Sequence, residues 1–301
     1  MTRTSAKIVV VVFVLSLATA SFGAAVQMIF SSSVYSDVKG NGLKLPEGVA
    51  CRGNVLVVAD TGNGRLLKYT VDGSTVKGGQ EIKVAEATDP VKVQMNSKGD
   101  IFALDGKLHR IARLSPEGAF KGYIDPAGVP SPSEFITKSF KIDGADNIYI
   151  LDVFSGRVLV LDPSGKYVRQ VAFPEKYGFI TDLAVDQKGD IYLLDGADAR
   201  VYEAHGDGSK GFSAVTKDME QDMNFPANMT VDNTGQLYLA DQNGGGVVVL
   251  GPDGSFRGRP IVFGWKEGLV RYPAELSINE NGVFFVADRE NSRVQVYTLV
   301  K

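Results

Sequence analysis

Three oxygen-bearing side chains, Asp182, Asn228 and Glu275, follow one another at intervals of 46 and 47 residues. Two carboxylates and an amide make an oxygen-only set that suits calcium or another hard cation, which gathers roughly 6–8 oxygens at full coordination. Carried backwards at similar intervals of 43, 47 and 44 residues, the series reaches Ser139, Lys92 and Gly48. Lys92 opens a second reading, because its ammonium can neutralise the carboxylates and leave a self-compensated polar cluster with no metal in it. The first reading allows a calcium-dependent hydrolase or lactonase, with Lys92 or a bound water assisting. The second requires no chemistry.

Other reactive types are sparse. The two histidines, His109 and His205, fall short of the three close protein ligands that catalytic zinc takes. No H-E-x-x-H, G-x-S-x-G or P-loop pattern occurs. A formal G-x-G-x-x-G spans Gly206 to Gly211, but it reads as a strand-to-strand turn with no helix behind it to hold a phosphate. Asn228-Met229-Thr230 spells a glycosylation sequon inside a predicted inner strand. The single cysteine, Cys51, cannot form an internal disulfide and reads as a small buried apolar residue.

The elements that position these residues come from a repeat. The segments 55–60, 101–105, 148–152, 191–195, 237–241 and 283–288 are apolar runs ending in Asp60, Asp105, Asp152, Asp195, Asp241 and Asp288, separated by 45, 47, 43, 46 and 47 residues. Five residues after each Asp stands Arg65, Arg110, Arg157, Arg200 or Arg293, with Gly246 instead in the fifth unit. A residue type used in every unit does one mechanical job many times over: the Asp should accept backbone N–H groups of the following turn and face the Arg. Glycine-bearing turns on either side divide each unit into about four short strands. Units of this length close radially, so the expected fold is an all-β, six-bladed β-propeller with four-stranded blades. The segment from Gln27 to Tyr35 has no blade of its own, and the last unit stops after its third strand, so this segment should complete the last blade and close the ring. Leu45, Phe179, Phe225 and Tyr272, each just before an inner strand, read as wedges between blades.

The runs P-E-G-V-A at 46–50, V-A-D-T-G-N-G-R at 58–65 and A-D-R-E-N-S-R-V-Q-V-Y at 287–297 make the chain resemble the NHL-repeat propellers. The resemblance implies a binding platform and only occasionally an enzyme. Gluconolactonase- and paraoxonase-like propellers, similar in architecture but not in motif, hold a metal at the channel position of Asp182, Asn228 and Glu275. The His-bound metal of the peptide-amidating lyases does not carry over.

Arg3 and Lys7 precede an apolar stretch from Ile8 to Leu17 and small residues up to Ala25. Residues 1–25 therefore read as an export signal, with an uncleaved membrane anchor as the alternative, and 26–301 as the propeller. The expected location is periplasmic or extracellular. Of 301 residues, 44% are hydrophobic and 22% charged, with a net charge of −3. That balance describes a globular chain and argues against a nucleic-acid partner. The expected molecule is a monomeric ring that touches a membrane only through an uncleaved segment, and has no cofactor unless calcium occupies the channel.

Three variable loops before inner strands, emerging on the same rim as the channel mouth, are the expected recognition surface for a protein or extracellular polymer. They are Asp125–Glu134, Lys217–Asn224 with Met219 and Met223, and Gly264–Arg271 with the one tryptophan, Trp265. Trp265, flanked by Lys266 and Arg271, either anchors a peptide or glycan or packs against the last blade. The leading expectation is an exported scaffold; the alternative is the hydrolase with its site in the channel.

Overall fold

A computed structural model describes residues 26–131, 133–217 and 219–300; residues 1–25, the expected export signal, lie outside the described residues. The chain forms six four-stranded antiparallel sheets. In blades one to five the strands pair in chain order, as a simple meander. The inner strands are Gly48–Arg52, Pro90–Met95, Thr137–Ile142, Ile180–Val185, Pro226–Val231 and Pro273–Ile278. Blade six takes its outer strand from the start of the chain: Gln27–Val34 pairs antiparallel with Arg293–Val300, from Gln27 opposite Val300 to Val34 opposite Val294. This closure joins the two ends of the ring and removes an exposed sheet edge from each.

The Asp-ended second strands are apolar on both faces because neighbouring blades cover both. Ile101–Asp105, Ile148–Asp152, Ile191–Asp195 and Leu237–Asp241 are buried throughout. Outer strands such as Tyr167–Ala172 alternate instead, with one side facing water. The core is accordingly six clusters, each bridging two blades. One joins blade six to blade one through Phe285, Val294 and Val296 against Val49, Leu56 and Tyr69. The other five repeat this arrangement around the ring. Stability is thus a sum of nearest-neighbour interfaces, as in other repeat proteins.

The repeated aspartates hold the turns between second and third strands. Asp152 Oδ1 accepts from the N–H groups of Ile136, Phe154 and Ser155, tying its own turn to the loop that enters the blade. Arg65, Arg157 and Arg293 each donate Nε to the Asp five residues earlier, at 2.8, 2.9 and 2.7 Å. Arg200 lies opposite Asp195 in strand register. Arg110 departs: its guanidinium reaches Asp125 at 3.3 Å and stacks over Tyr123. In blade five Arg259, from the outer strand, supplies the guanidinium that Gly246 lacks, with Nη2 2.5 Å from Asp241 Oδ2. The residue before each repeated Arg position is left-handed in every blade, at Gly64, His109, Gly156, Ala199, Gly245 and Ser292.

Of the four expected wedges, Leu45, Phe225 and Tyr272 are half-buried and adopt φ of 46°, 64° and 53°, each immediately before a proline. Phe179 differs from the expectation: it is 48% exposed and lies under the ammonium of Lys138.

Candidate functional site

The inner strands run in one direction around the axis, so residues at equivalent positions form layers across the channel. In the upper layer the structure brings Lys92, Ser139, Asp182, Asn228 and Glu275 together, all between 1% and 6% exposed. Gly48 completes the series; a Cβ there would sit 3.1 Å from the Cα of Lys92, which leaves glycine as the residue that lets blades one and two approach.

Asp182, Asn228 and Glu275 each reach the next blade. Asp182 Oδ2 accepts from Met229 N–H at 2.9 Å and from Asn228 Nδ2 at 2.7 Å. Asn228 Oδ1 accepts from Leu276 N–H, and Glu275 Oε2 from Val49 N–H, both at 2.9 Å. The polar layer therefore stitches blades four, five, six and one through backbone donors. Lys92 stands among the acids, with Nζ 3.0 Å from Asp182 Oδ1 and 3.1 Å from Glu275 Oε1, and the Ser139 hydroxyl also donates to Asp182 Oδ1. The ammonium occupies the place a cation would take between these oxygens, so calcium would have to displace it.

The ionisation of the layer follows from this packing. Burial alone favours a neutral Lys92, but Asp182 and Glu275 outweigh it and hold the amine above the usual lysine range. Burial would raise Asp182, yet Lys92, Lys141 and the hydrogen bonds from Ser139 and Met229 bring it below the usual carboxylate range. For Glu275 burial prevails over the two lysines, and its pKa is raised.

Beneath lies a residue not singled out by the spacing. Lys141, two residues along the inner strand from Ser139, is 8% exposed and makes no hydrogen bond or close ion pair among the described residues. Burial, with Lys92 adding repulsion, pushes its pKa below the usual lysine value. It lines a cavity of about 180 Å³ on the channel axis, to which all six inner strands contribute. That cavity shares Ile142, Val185, Val231, Ile278 and Glu280 with a bowl of about 870 Å³. Both open towards the C-terminal ends of the inner strands. The variable loops lie at the other end, which corrects the expectation that they share the rim of the channel mouth: the channel is open where the turns after the inner strands are short.

The loops divide in their fates. Trp265 is 70% exposed, which excludes packing against the last blade. Arg271 donates its N–H to Asp288 Oδ1 and its guanidinium lies 3.5 Å from Glu290. Met219 and Met223 are buried in the cluster between blades four and five, which corrects their reading as a binding surface. Met223 N–H bonds to Met219 O, a single turn that sends both side chains inward and leaves Glu220 and Asp222 exposed. The histidines stay off the channel wall. His109 Nδ1 is 3.3 Å from Thr137 O, while His205 lies on the rim of blade four, where its ring, Asp190 and Glu203 bring one donor atom each within 4.8 Å. Cys51 is only half-buried, and its thiol, pushed up to about 12 by burial, is inert at neutral pH.

Residues 270–297, the first three strands of blade six, match the NHL repeat. No curated protein matches the chain. Among solved structures it is similar to a gluconolactonase from Xanthomonas campestris, at 15% identity over 94% of this chain and 99% of that one with a TM-score of 0.65. It is similar to virginiamycin B lyase from Staphylococcus aureus at 11% identity, 91% and 99% coverage and a TM-score of 0.61. A protein of unknown function from Bacteroides thetaiotaomicron matches at 15% identity over 92% and 76% with a TM-score of 0.66. At these identities the likeness establishes the fold: the chain is a six-bladed β-propeller carrying an NHL repeat.

Proposed function

We propose that the chain is an exported scaffold that grips a protein or extracellular polymer with the face formed by the loops before its inner strands. One observation carries this reading. Of the sixteen large hydrophobic residues exposed among the described residues, eleven lie on that face, including Phe154, Tyr177, Phe179, Phe263 and Trp265. Soluble proteins seldom gather apolar exposure on one side without a partner for it, and aromatic anchors with cations beside them are typical of binding hot spots. Lys138 over Phe179 and Lys266 beside Trp265 supply that pairing.

The competing reading, a calcium-dependent hydrolase, needs Asp182, Asn228 and Glu275 free to coordinate, whereas their oxygens are already engaged by Lys92 and by backbone donors of the next blade. The gluconolactonase likeness lends it only a fold.

Trp265 makes the test direct, because the single indole of the chain reports on this face alone. Fractions of the native envelope are titrated onto the protein while its fluorescence is followed, in parallel with a Phe154→Ser, Phe179→Ser double variant. A saturable blue shift that the double variant weakens supports the scaffold. Turnover of lactones or esters that is lost in Asp182→Asn, with no effect of the double variant, establishes the hydrolase instead. Export is tested separately, by the mass of the protein recovered from the envelope: it should lack residues 1–25.

A further inference from the structure

We infer that the cavity around Lys141 is a binding site for a small monocarboxylate, held by the ammonium and entered from the face opposite the loops. The lysine is nine-tenths buried, lacks any hydrogen bond or close ion pair among the described residues, and lines a cavity of about 180 Å³. The ammonium meets the open cavity and no protein acceptor, so an anion seated against it supplies the counter-charge that the surrounding protein does not give it directly. The nearest acids are already committed, since Lys92 lies within ion-pair distance of both Asp182 and Glu275.

The walls define the ligand further. Thr230 and Ser277 add hydroxyls to the same cavity, and Ala50 and Ala184 give it short apolar sides, which suits a carboxylate with a few carbons attached. The volume exceeds what one bare halide fills. Glu280 stands in the wall, and Asp143, Asp186 and Asp232 line the bowl outside. These acids disfavour a doubly charged anion such as sulfate or phosphate. Arg52 also lines the cavity and offsets Glu280, so the wall carries the net charge of one ammonium, which a monoanion balances.

The probe is sodium acetate, added to the full chain at constant ionic strength, with sodium chloride and sodium sulfate as parallel arms and the melting temperature and titration heat as readouts. The expected result is a saturable rise in the melting temperature with acetate alone. Lys141→Met should weaken acetate binding at least tenfold while melting cooperatively, and affinity should fall as the pH is raised and the lysine loses its proton. Thr230→Val keeps the lysine and the shape, and should weaken binding severalfold; it serves as the test if Lys141→Met does not fold. The inference is overturned if acetate produces no saturable effect, if chloride or sulfate matches it, or if the Lys141→Met or Thr230→Val variant binds acetate as the wild type does.

Discussion

Lys92 and Asp182, 90 residues apart in the chain, meet at 3.0 Å near the channel axis with the hydrogen bonds of Asp182 reaching on to the next blade. The contact links blade two to blade four, and with Glu275 it spans half the ring. Removing one member of a buried ion pair leaves the others charged and unmatched, which typically costs about 3–5 kcal/mol. Lys92→Met is therefore expected to lower the unfolding free energy by about that amount in urea melts. A loss below about 1 kcal/mol would show the cluster to be incidental to stability.

The same contact decides the calcium question. With Lys92 in place, melting curves in EDTA and in 1 mM calcium should superimpose. In Lys92→Met the vacated position is surrounded by Asp182, Glu275 and the Ser139 hydroxyl, and calcium should raise the melt of the variant. A site half-saturated at one hundredth of the ligand concentration adds about 2.7 kcal/mol, so the shift is measurable. A wild-type gain with calcium that Asp182→Ala erases would return the channel to the metal-dependent reading.

The outer ring offers an internal comparison. Arg259 donates to Asp241, which is fully buried, and the place of a Cβ on Gly246 lies 2.9 Å from Arg259 Nη1. Arg110 pairs with Asp125 at the surface, with both side chains well exposed. Arg259→Ala should therefore cost about 3 kcal/mol, as the loss of a partner to a buried carboxylate does, and Arg110→Ala about 1 kcal/mol or less. Equal costs would refute the substitution of one arginine for another.

The blade count, strand order and ring closure were legible because the six Asp-ended strands repeat and because a segment at one end matched a gap at the other. The upper channel layer was legible by the same counting. Lys141 lies outside that count because it sits one layer further along the strand, where side chains two residues apart share a face. Reading that next position would have shown Gln94, Lys141, Thr230 and Ser277 together. Arg259 escaped because it sits on an outer strand of variable spacing, and Met219 with Met223 misled because the acids around them hid a turn with an apolar inner side. The site of the open cavity was not legible either: the turns following the inner strands are short and leave the axis uncovered, a property of loop length summed over several blades.

Backbone conformation supplies a cleaner prediction. Gly156 has φ of 61°, and a Cβ placed on it meets nothing closer than 3.6 Å. Gly156→Ala should therefore cost about 1–2 kcal/mol through the left-handed backbone alone, with no steric contribution. A cost within error of zero in denaturant melts would mean that the turn relaxes freely.

The last prediction concerns pH. Burial, reinforced by Lys92, lowers the pKa of Lys141, while Asp182 and Glu275 oppose the shift; Cys51, Arg52 and Glu280 also face the cavity. A lowered native pKa means that the unfolded chain binds this proton more tightly than the fold does. The contribution of Lys141 is then most favourable above its ordinary value of 10.5 and is lost as the pH falls through the lowered native value. Lys92 has the opposite sign, its raised pKa mattering only above 10.5. In a buffer free of small carboxylates, the stability of the wild type relative to Lys141→Met should therefore rise as the pH climbs from the lowered native value towards 10.5. Each unit of difference between the two states contributes about 1.4 kcal/mol. Lys141→Met should be the more stable protein at neutral pH, and a difference that stays flat across this window would mean that the lysine is solvated well enough to keep its ordinary proton affinity.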